Sequence, residues 1–503
     1  MIAKLLSSSL LPVLFPIISG VAILLRPVNE NGDFIHDDSH FYVGAMTFIS
    51  ALLNFAAVYL TKSELFILCR ITGDLNIAFK IDGISKLFMI LLAVIWPLVT
   101  LYAFEYLHRR PPTGRFFAFF LATFGILNGV ACAANFLTLY LFYELMTFMT
   151  LPLVMHSQQR EAIRGTVKYL LYSLIGAALA LGGFCFFHVY GVSTEFTAGG
   201  VLNLKELTQH DKDILLAVTF LTLLGFGAKA GLMPLHSWLP TAHPVAPTPA
   251  SAVLSGLITK GGVIAMLRVI YFIAGAEFLR GTWVQKALIA LSLLTIFTGS
   301  MMAYAEKHLK KRIAWSSVSQ VSYVIFALML LTPDGFVGAL LQIAAHAMAK
   351  SCLFLSAGVV IYFTFQGANY HYADQLQGIG KELPITMSCF AVASISLIGL
   401  PPSGGFVAKW FMGEGALGLG TLGYVGVAVL MISALLTAGY LLPIVADAFF
   451  PGEDYEYNDE ASLTRLPVKM KLPLLLLSAG AILSGIFAGW LAKFFESIAA
   501  GIL

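Results

Sequence analysis

The chain has 503 residues, of which 58% are hydrophobic and 11% are charged, and its formal net charge at pH 7 is +3. Ordinary soluble domains are about 45–50% apolar and about 25% charged. This composition excludes a soluble globular protein and indicates an integral membrane protein, and the small net charge argues against nucleic-acid binding.

The apolar runs indicate helices that span the lipid bilayer. In lipid every backbone N–H and C=O must be bonded within the protein, and runs of about 20 apolar residues without alternation favour helices over a β-barrel. The sequence predicts an all-α polytopic membrane protein with about 14 transmembrane helices. The predicted spans are 5–25, 41–61, 84–107, 116–134, 136–156, 166–190, 213–233, 248–274, 285–305, 313–332, 335–365, 385–418, 421–449 and 471–495.

Two features near the N-terminus refine this prediction. The first apolar run, which reaches Leu25, is longer than the 7–15 apolar residues of a signal peptide, so a first spanning helix is favoured. Between the second and third spans, Leu65 to Ile81 alternates apolar and polar residues around Gly73 and Asp74. This pattern predicts a β-hairpin outside the bilayer.

The loop charges predict an orientation. Lys and Arg are about twice as frequent in the odd-numbered connections as in the even-numbered ones, so the positive-inside rule places the odd connections in the cytoplasm. We therefore expect a multi-pass protein of the cell (inner) membrane with both termini outside. The acidic insert from Pro451 to Leu466 is interpreted as a solvated loop, and a docking surface for a cytoplasmic partner is the alternative.

Five charged residues lie deep inside predicted spans. A charge at the centre of a spanning helix costs roughly 2.5–3.5 kcal/mol on insertion scales, so these side chains must face the protein interior or water. They indicate that the chain moves charge. Arg268 lies at the end of its span, and we expect its side chain to reach the membrane interface. The five residues are Glu144, Lys229, Lys260, Lys350 and Lys409.

A short repeat divides the chain. Residues 225–229 and 405–409 share the pattern G-F-x-A-K, and each copy lies beside a Pro- or Gly-rich helix breaker. Paired interruptions of this kind indicate a transporter with inverted repeats and discontinuous helices at its ion site. The predicted segments are an N-terminal part with the hairpin, a first repeat, a second repeat, and an acidic loop with the last helix: 1–110, 111–274, 283–449 and 450–503.

His236 and His243 lie in a proline-rich run between Gly231 and Ser251. Prolines remove backbone donors and force irregular structure, which at membrane depth is tolerated only in a protein interior or beside a wet cavity. Imidazoles there can pass protons near neutral pH. A core histidine bonded to a carbonyl is the alternative for either one.

The cysteine pattern points away from redox chemistry. The five cysteines are isolated, with no C-x-x-C pair and no haem or iron–sulfur spacing. We therefore predict no cofactor, no metal site and no catalytic residue in this chain, although it is open whether the chain is a subunit of a translocating oxidoreductase.

Four long motifs resemble those of one family. The run HSWLPTAHPVAP followed by SAVLSG, together with KKRIAWSSVSQ, HAMAKSCLF and GLPPSGGFVAK, resembles the antiporter-like subunits of respiratory complex I, membrane-bound hydrogenases and Mrp-type cation/proton antiporters. The similarity extends from about residue 80 to 450 in the expected order. The resemblance implies a fold of fourteen helices with two inverted five-helix repeats, helices four to eight and nine to thirteen, with helices 7 and 12 discontinuous.

The resemblance also implies roles for single residues. Glu144 matches the family's fifth-helix glutamate, and Lys229 matches the seventh-helix lysine with which it pairs. Lys260 matches the eighth-helix lysine. His346 and Lys350 match the histidine–lysine relay that follows. Lys409 matches the terminal lysine of the twelfth helix, which exchanges protons with the outside.

The leading hypothesis is a proton-translocating subunit of a multisubunit membrane complex, either redox-driven or of the Mrp type. The partners would be other membrane subunits and the lipid bilayer. Lys409 and the end of the chain at Leu503 favour the branch that holds the D-type subunits of Mrp antiporters and the membrane-bound hydrogenases. The alternatives are a self-contained secondary transporter for an ion or small solute and an assembly scaffold. Besides protons, Na⁺ stays open, because the breaks offer Ser, Thr and carbonyl oxygens without a carboxylate cluster.

Overall fold

The computed structural model describes residues 9–26, 38–60, 64–108, 113–363, 371–452 and 466–503. Most of the predicted acidic insert, residues 453–465, lies outside the described residues, as do residues 1–8, which include the start of the first predicted span.

The described chain is almost entirely helical. We number the helices of ten or more residues α1 to α16 and name the shorter ones by their residues. The helices are α1 Leu11–Leu24, α2 Asp38–Leu60, α3 Gly83–Leu107, α4 Thr113–Cys132, α5 Phe136–Val154, α6 Arg160–Tyr190, α7 Gln209–Ala230, α8 Thr248–Ala274, α9 Trp283–Ala305, α10 Leu309–Met329, α11 Pro333–Phe363, α12 Pro384–Ile398, α13 Gly404–Leu417, α14 Thr421–Phe449, α15 Val468–Ile486 and α16 Ala488–Ala499.

Among the described residues, eleven helices are long and apolar enough to cross a membrane. The prediction of a mostly helical polytopic membrane protein is thereby confirmed. Each of the predicted stretches contains a helix, although α1, α12 and α13 are shorter than a full span. The count of fourteen spans stays a prediction.

The predicted hairpin between Leu65 and Ile81 is present. Strand β1 (Phe66–Thr72) pairs antiparallel with β2 (Leu75–Phe79) around a turn at Gly73. The chain then enters α3 through Asp82, whose carboxylate caps the helix by accepting from the Ser85 N–H at 2.9 Å.

Two helix interruptions lie where the repeat pattern places them. Helix α7 ends one residue after Lys229 and is followed by Gly231, which has the left-handed φ of 85°. A turn and the short helix Leu239–Val245 follow before α8 begins. In the second half, α12 is followed by Gly399, with φ 88°, and the chain resumes as α13 at Gly404. A left-handed glycine ends a helix without the steric cost of a Cβ.

The distribution of side chains is that of a membrane protein. Large apolar residues such as Leu171, Met431 and Leu435 are 54%, 64% and 73% exposed on helix surfaces. Polar residues such as Ser319 and Gln320 are fully buried. Lipid accommodates the apolar surface, and buried polar groups must find partners inside the protein.

Close helix crossings depend on glycine. A Cβ at Gly225 would lie 2.4 Å from the Gly176 carbonyl oxygen on α6. A Cβ at Gly256 would lie 2.4 Å from Ser351 Oγ on α11. The glycines that precede the buried lysines therefore make room for a neighbouring helix.

Replacing Gly225 by alanine is expected to destabilise the α6–α7 crossing, because the atom that a new methyl meets is backbone and cannot rotate away. Overpacking of this kind costs about 1–3 kcal/mol. The unfolding temperature of the detergent-solubilised protein should fall in Gly225→Ala. Gly182→Ala, on α6 with nothing within 4 Å of its new Cβ, is the matched control. Equal stability of the two variants would contradict the close-contact interpretation.

Candidate functional site: buried amines in the protein interior

Lys229 is fully buried on α7 and faces α5. Its Nζ donates to the Tyr143 carbonyl oxygen at 2.9 Å and to Thr147 Oγ1 at 2.5 Å. The amine also lies 3.9 Å from the centroid of the Tyr143 ring. All of these partners are neutral, so the site can accommodate the amine in either protonation state.

Glu144 lies half-buried on α5, next to Tyr143 in the chain. One of its carboxylate oxygens, Oε1, is buried without a hydrogen-bond partner. Among the described residues the ion pairs are Arg268–Asp82 and Lys311–Glu306. The Glu144–Lys229 pair that the resemblance implies is therefore not closed in this structure, and its role stays a prediction.

Lys260 and His346 contact each other directly. Lys260 is 1% exposed on α8, and its Nζ lies 2.5 Å from His346 Nδ1 and 2.6 Å from the Ser255 carbonyl oxygen. Ser255 belongs to a π-helical turn, Leu254–Ile258, that precedes the lysine. Such turns are frequent at functional sites.

Lys350 lies one turn beyond His346 on α11 and is fully buried. Its Nζ donates to the Ile313 carbonyl oxygen at 2.8 Å and to Ser316 Oγ, both on α10. The spacing of four residues predicted that His346 and Lys350 share a helix face. Their partners, which lie on two different helices, are visible only in the structure.

Lys409 lies on α13, beyond the second interruption. Its Nζ donates to the carbonyl oxygens of Leu397 and Ile398 at 2.7 and 2.8 Å. These are the last carbonyls of α12, where the helix dipole favours a cation. The lysine also borders an open cleft of about 580 Å³ between α13 and α14, lined by apolar side chains such as Phe406 and Trp410.

The two predicted histidines of the proline-rich run occupy different environments. His243 is fully buried on the helix Leu239–Val245, its ring is stacked on Phe354 at 4.8 Å, and neither ring nitrogen has a hydrogen-bond partner. His236 is half-buried, with Nδ1 unpartnered and its ring 5.6 Å from that of Trp315. The interpretation of His243 as a core histidine bonded to a carbonyl is therefore wrong.

Of the eight predicted residues, Lys260 and His346 are the one pair that is connected by a direct hydrogen bond or ion pair. The lysines otherwise bind carbonyls and hydroxyls. Within the described part of the chain, no cluster of three or more His, Cys, Asp and Glu side chains is placed to bind a metal ion. The arrangement offers buried groups on several helices that can gain or release protons.

Several polar side chains in the site were not predicted from the sequence. Thr147 and Ser316 hold lysines, and two buried amides, Gln320 and Gln342, bond to each other at 2.8 Å. Gln342 precedes His346 by four residues on α11, so the spacing in the sequence could have predicted that both lie on the same helix face. Hydroxyl partners on other helices carry no such signal.

The structure gives Arg268 a partner that was not predicted, and the position of its side chain at the membrane interface stays a prediction. Its side chain is 2% exposed and forms an ion pair at 2.5 Å with Asp82, which is 28% exposed. The guanidinium bonds both carboxylate oxygens and also Ser85 Oγ at 3.3 Å. Burial by itself would raise the pKa of Asp82, but Arg268 and the two Ser85 donors outweigh it, so the pKa lies below its ordinary value. The guanidinium is buried because a carboxylate at a fixed position lies within its reach.

The fold and its interior define a class: a polytopic helical membrane protein with lysines and histidines buried in its interior. Residues 133–437 match the family described as NADH:quinone oxidoreductase/Mrp antiporter, TM, and residues 71–117 match complex I chain 5 N-terminus. The chain belongs to this family of antiporter-like membrane subunits, as the sequence motifs indicated.

Relatives come from several kinds of complex. The chain is 32% identical over 429 residues to the N subunit of the NADH-quinone oxidoreductase of Desulforudis audaxviator, covering 82% of each chain. It is 25% identical over 500 residues to a Na(+)/H(+) antiporter subunit of Bacillus subtilis, covering 98% of this chain and 97% of that one. Its fold matches a chain of an archaeal membrane-bound sulfane sulfur reductase, with a TM-score of 0.84, 23% identity, and coverage of 99% and 98%.

Proposed function

We propose that this chain is a proton-translocating subunit of a multisubunit membrane complex, in which protons move through Glu144, Lys229, His236, His243, Lys260, His346, Lys350 and Lys409. One observation carries the proposal. Lys229, Lys260 and Lys350 are 0–1% exposed, and their hydrogen-bond partners are neutral carbonyls, hydroxyls and an imidazole.

The physical argument concerns the cost of a buried charge. Burial disfavours the charged form of an amine, and an approaching carboxylate or an added proton on a neighbour changes that balance. An amine held by neutral groups is near the point at which it can gain or release a proton. A salt-bridged amine would be held in its charged form. Chains of such groups, separated by water, conduct protons through membrane proteins.

The proposal includes the architecture predicted from the sequence. Fourteen spans would form two inverted repeats within 111–274 and 283–449, preceded by 1–110 and followed by 450–503. Support comes from the repeated G-F-x-A-K pattern, which lies beside a helix interruption in each half: Lys229 lies just before the interruption after α7, and Lys409 lies shortly after the one that follows α12. Both termini would lie outside the cell membrane, in keeping with the Lys and Arg distribution.

The partners are proposed to be other membrane subunits. Relatives named as subunits of quinone oxidoreductases and antiporters support this class of partner. The self-contained secondary transporter makes a different prediction: the purified chain, reconstituted alone in vesicles, should transport. Proton movement in the complex purified from its native membrane, with silence of the isolated chain, would favour the subunit.

Replacing Lys229 or Glu144 by alanine is expected to lower proton translocation at least about tenfold in the assembled complex, because each removes a group that receives or releases the proton. Translocation should be measured with a pH-sensitive dye in vesicles that contain the whole complex, and assembly by co-purification of the other subunits.

Lys311→Ala is the matched control. The Lys311 side chain is 45% exposed and pairs with Glu306, so its loss removes a lysine without touching the buried amines. Wild-type translocation in both Lys229→Ala and Glu144→Ala would refute the proposed function.

A further inference from the structure

Two buried glutamines on α10 and α11 form a hydrogen-bonded link that ends at the carbonyl oxygen that Lys409 binds. Gln320 on α10 and Gln342 on α11 are 0% and 2% exposed. Gln342 Nε2 donates to Gln320 Oε1 at 2.8 Å, and Gln320 Nε2 donates to the Leu397 carbonyl oxygen at 3.3 Å. Lys409 Nζ donates to the same carbonyl at 2.7 Å.

The orientation of both amides follows from the carbonyl at one end. A backbone carbonyl only accepts hydrogen bonds, so Gln320 must turn its NH₂ group toward Leu397 and its oxygen toward Gln342. That oxygen also only accepts, so Gln342 must present its own NH₂ group. The oxygen of Gln342 is thereby left free, and it is buried without a hydrogen-bond partner.

His346 has the complementary free atom. Its Nδ1 bonds Lys260 Nζ at 2.5 Å, and its Nε2 is buried without a partner. When Lys260 carries its proton, the ammonium can only donate, so Nδ1 accepts and Nε2 bears the hydrogen. The imidazole then has an unused N–H, and Gln342, one turn earlier on α11, has an unused oxygen.

We propose that Gln342 is a positioning residue that holds His346 in the tautomer with hydrogen on Nε2, through one ordered water between Nε2–H and Gln342 Oε1. The inference rests on the proposed function. A buried water that joins two unsatisfied polar groups is a common element of protein interiors. A proton that passes from Lys260 to Nδ1 leaves a neutral amine and an imidazolium, whose Nε2–H still donates to this water.

The amides themselves keep their hydrogens. Their contribution is to fix the water and to connect it, through Gln320, with the Leu397 carbonyl that binds Lys409. A purely structural amide pair would stabilise α10 against α11 equally well. It would leave the His346 tautomer independent of Gln342, and this difference allows a test.

The test uses the whole complex with nitrogen-15 histidine. NMR distinguishes the two tautomers of a neutral imidazole, and the His346 signal is identified by its loss in His346→Asn. In Gln342→Met we expect the signal to shift away from the Nε2–H tautomer and translocation to fall roughly tenfold to 100-fold, as for a misplaced reacting group. Gln342→Glu should restore most of both, because a buried neutral carboxyl can accept from the water and donate to Gln320.

Gln285→Met is the matched control. Gln285 is also a buried glutamine with two hydrogen-bonded ends, to Gly281 and Met329, but it lies outside this link. It should keep the wild-type tautomer and translocation. If Gln342→Met does not assemble, Gln320→Met, which frees Gln342 to turn, should give the same tautomer shift.

Either of two results would overturn the inference: an unchanged His346 signal in Gln342→Met, whatever its rate, or wild-type translocation despite a shifted signal. Failure here is distinguishable from failure of the proposed function. If Lys229→Ala abolishes translocation while Gln342→Met gives either of these results, only the role of Gln342 is lost.

Discussion

Lys350→Met is expected to abolish proton translocation while the complex still assembles. Lys350 is a fully buried amine one turn beyond His346 on α11, and its Nζ is held by the Ile313 carbonyl and the Ser316 hydroxyl. Methionine fills a similar volume and places no unpaired charge in the interior. A positioned proton-transfer group contributes roughly 100-fold or more to a rate, so the loss should be at least of that size. Dye-detected acidification in vesicles measures it.

Lys350→Arg separates proton release from charge. A guanidinium stays protonated at all relevant pH values, so it keeps the charge but cannot release the proton. We expect this variant to be as inactive as Lys350→Met. Lys286→Met, an exposed lysine on α9, is the control and should translocate normally. Activity in Lys350→Arg would mean that Lys350 acts as a fixed charge, and activity in Lys350→Met would remove it from the proton route.

Arg268→Leu is expected to destabilise the protein by about 3 kcal/mol. Removal of one partner from a buried ion pair typically costs about 3–5 kcal/mol, and the lower end applies because Asp82 is 28% exposed and can be partly hydrated. The free energy of unfolding in detergent with added denaturant measures the effect. The double variant Asp82→Asn/Arg268→Leu should recover part of the loss, since asparagine can still cap α3.

The surface pair provides the control for Arg268. Lys311→Leu breaks an ion pair whose side chains are 45% and 18% exposed, and exposed pairs are worth about 0–1 kcal/mol. The pH dependence has a definite sign. Because the folded-state pKa of Asp82 lies below its ordinary value, its stabilisation is present above the unfolded-state pKa and is lost as the pH falls through the folded-state pKa. Equal losses for Arg268→Leu and Lys311→Leu would contradict the buried-pair account.

The general architecture could be predicted from the sequence because lipid imposes strong local rules. The spans follow from uninterrupted apolar runs, and the hairpin between Leu65 and Ile81 follows from alternation around a Gly-Asp turn. The helix interruptions follow from glycine and proline, as at Gly231 and Gly399. These signals act over a few residues, so no knowledge of the packing is needed.

The candidate site was predictable only in part. Intramembrane charge pointed to Lys229, Lys260, Lys350 and Lys409, and spacing placed His346 one turn before Lys350. The bonds that hold them were not predictable. Arg268 shows the reason: its partner, Asp82, lies at the start of another helix, far away in the sequence, and only the packing of the two helices brings them together.

The sequence by itself determined that this is a helical membrane protein with costly ionisable groups in its spans, because hydrophobicity and charge are properties of each segment alone. The tertiary structure alone decided which neighbour each group meets: Thr147 for Lys229, Ser316 for Lys350, and the Leu397 carbonyl for both Gln320 and Lys409. Such contacts join residues on different helices. They depend on helix crossings that only the packing of the whole protein determines.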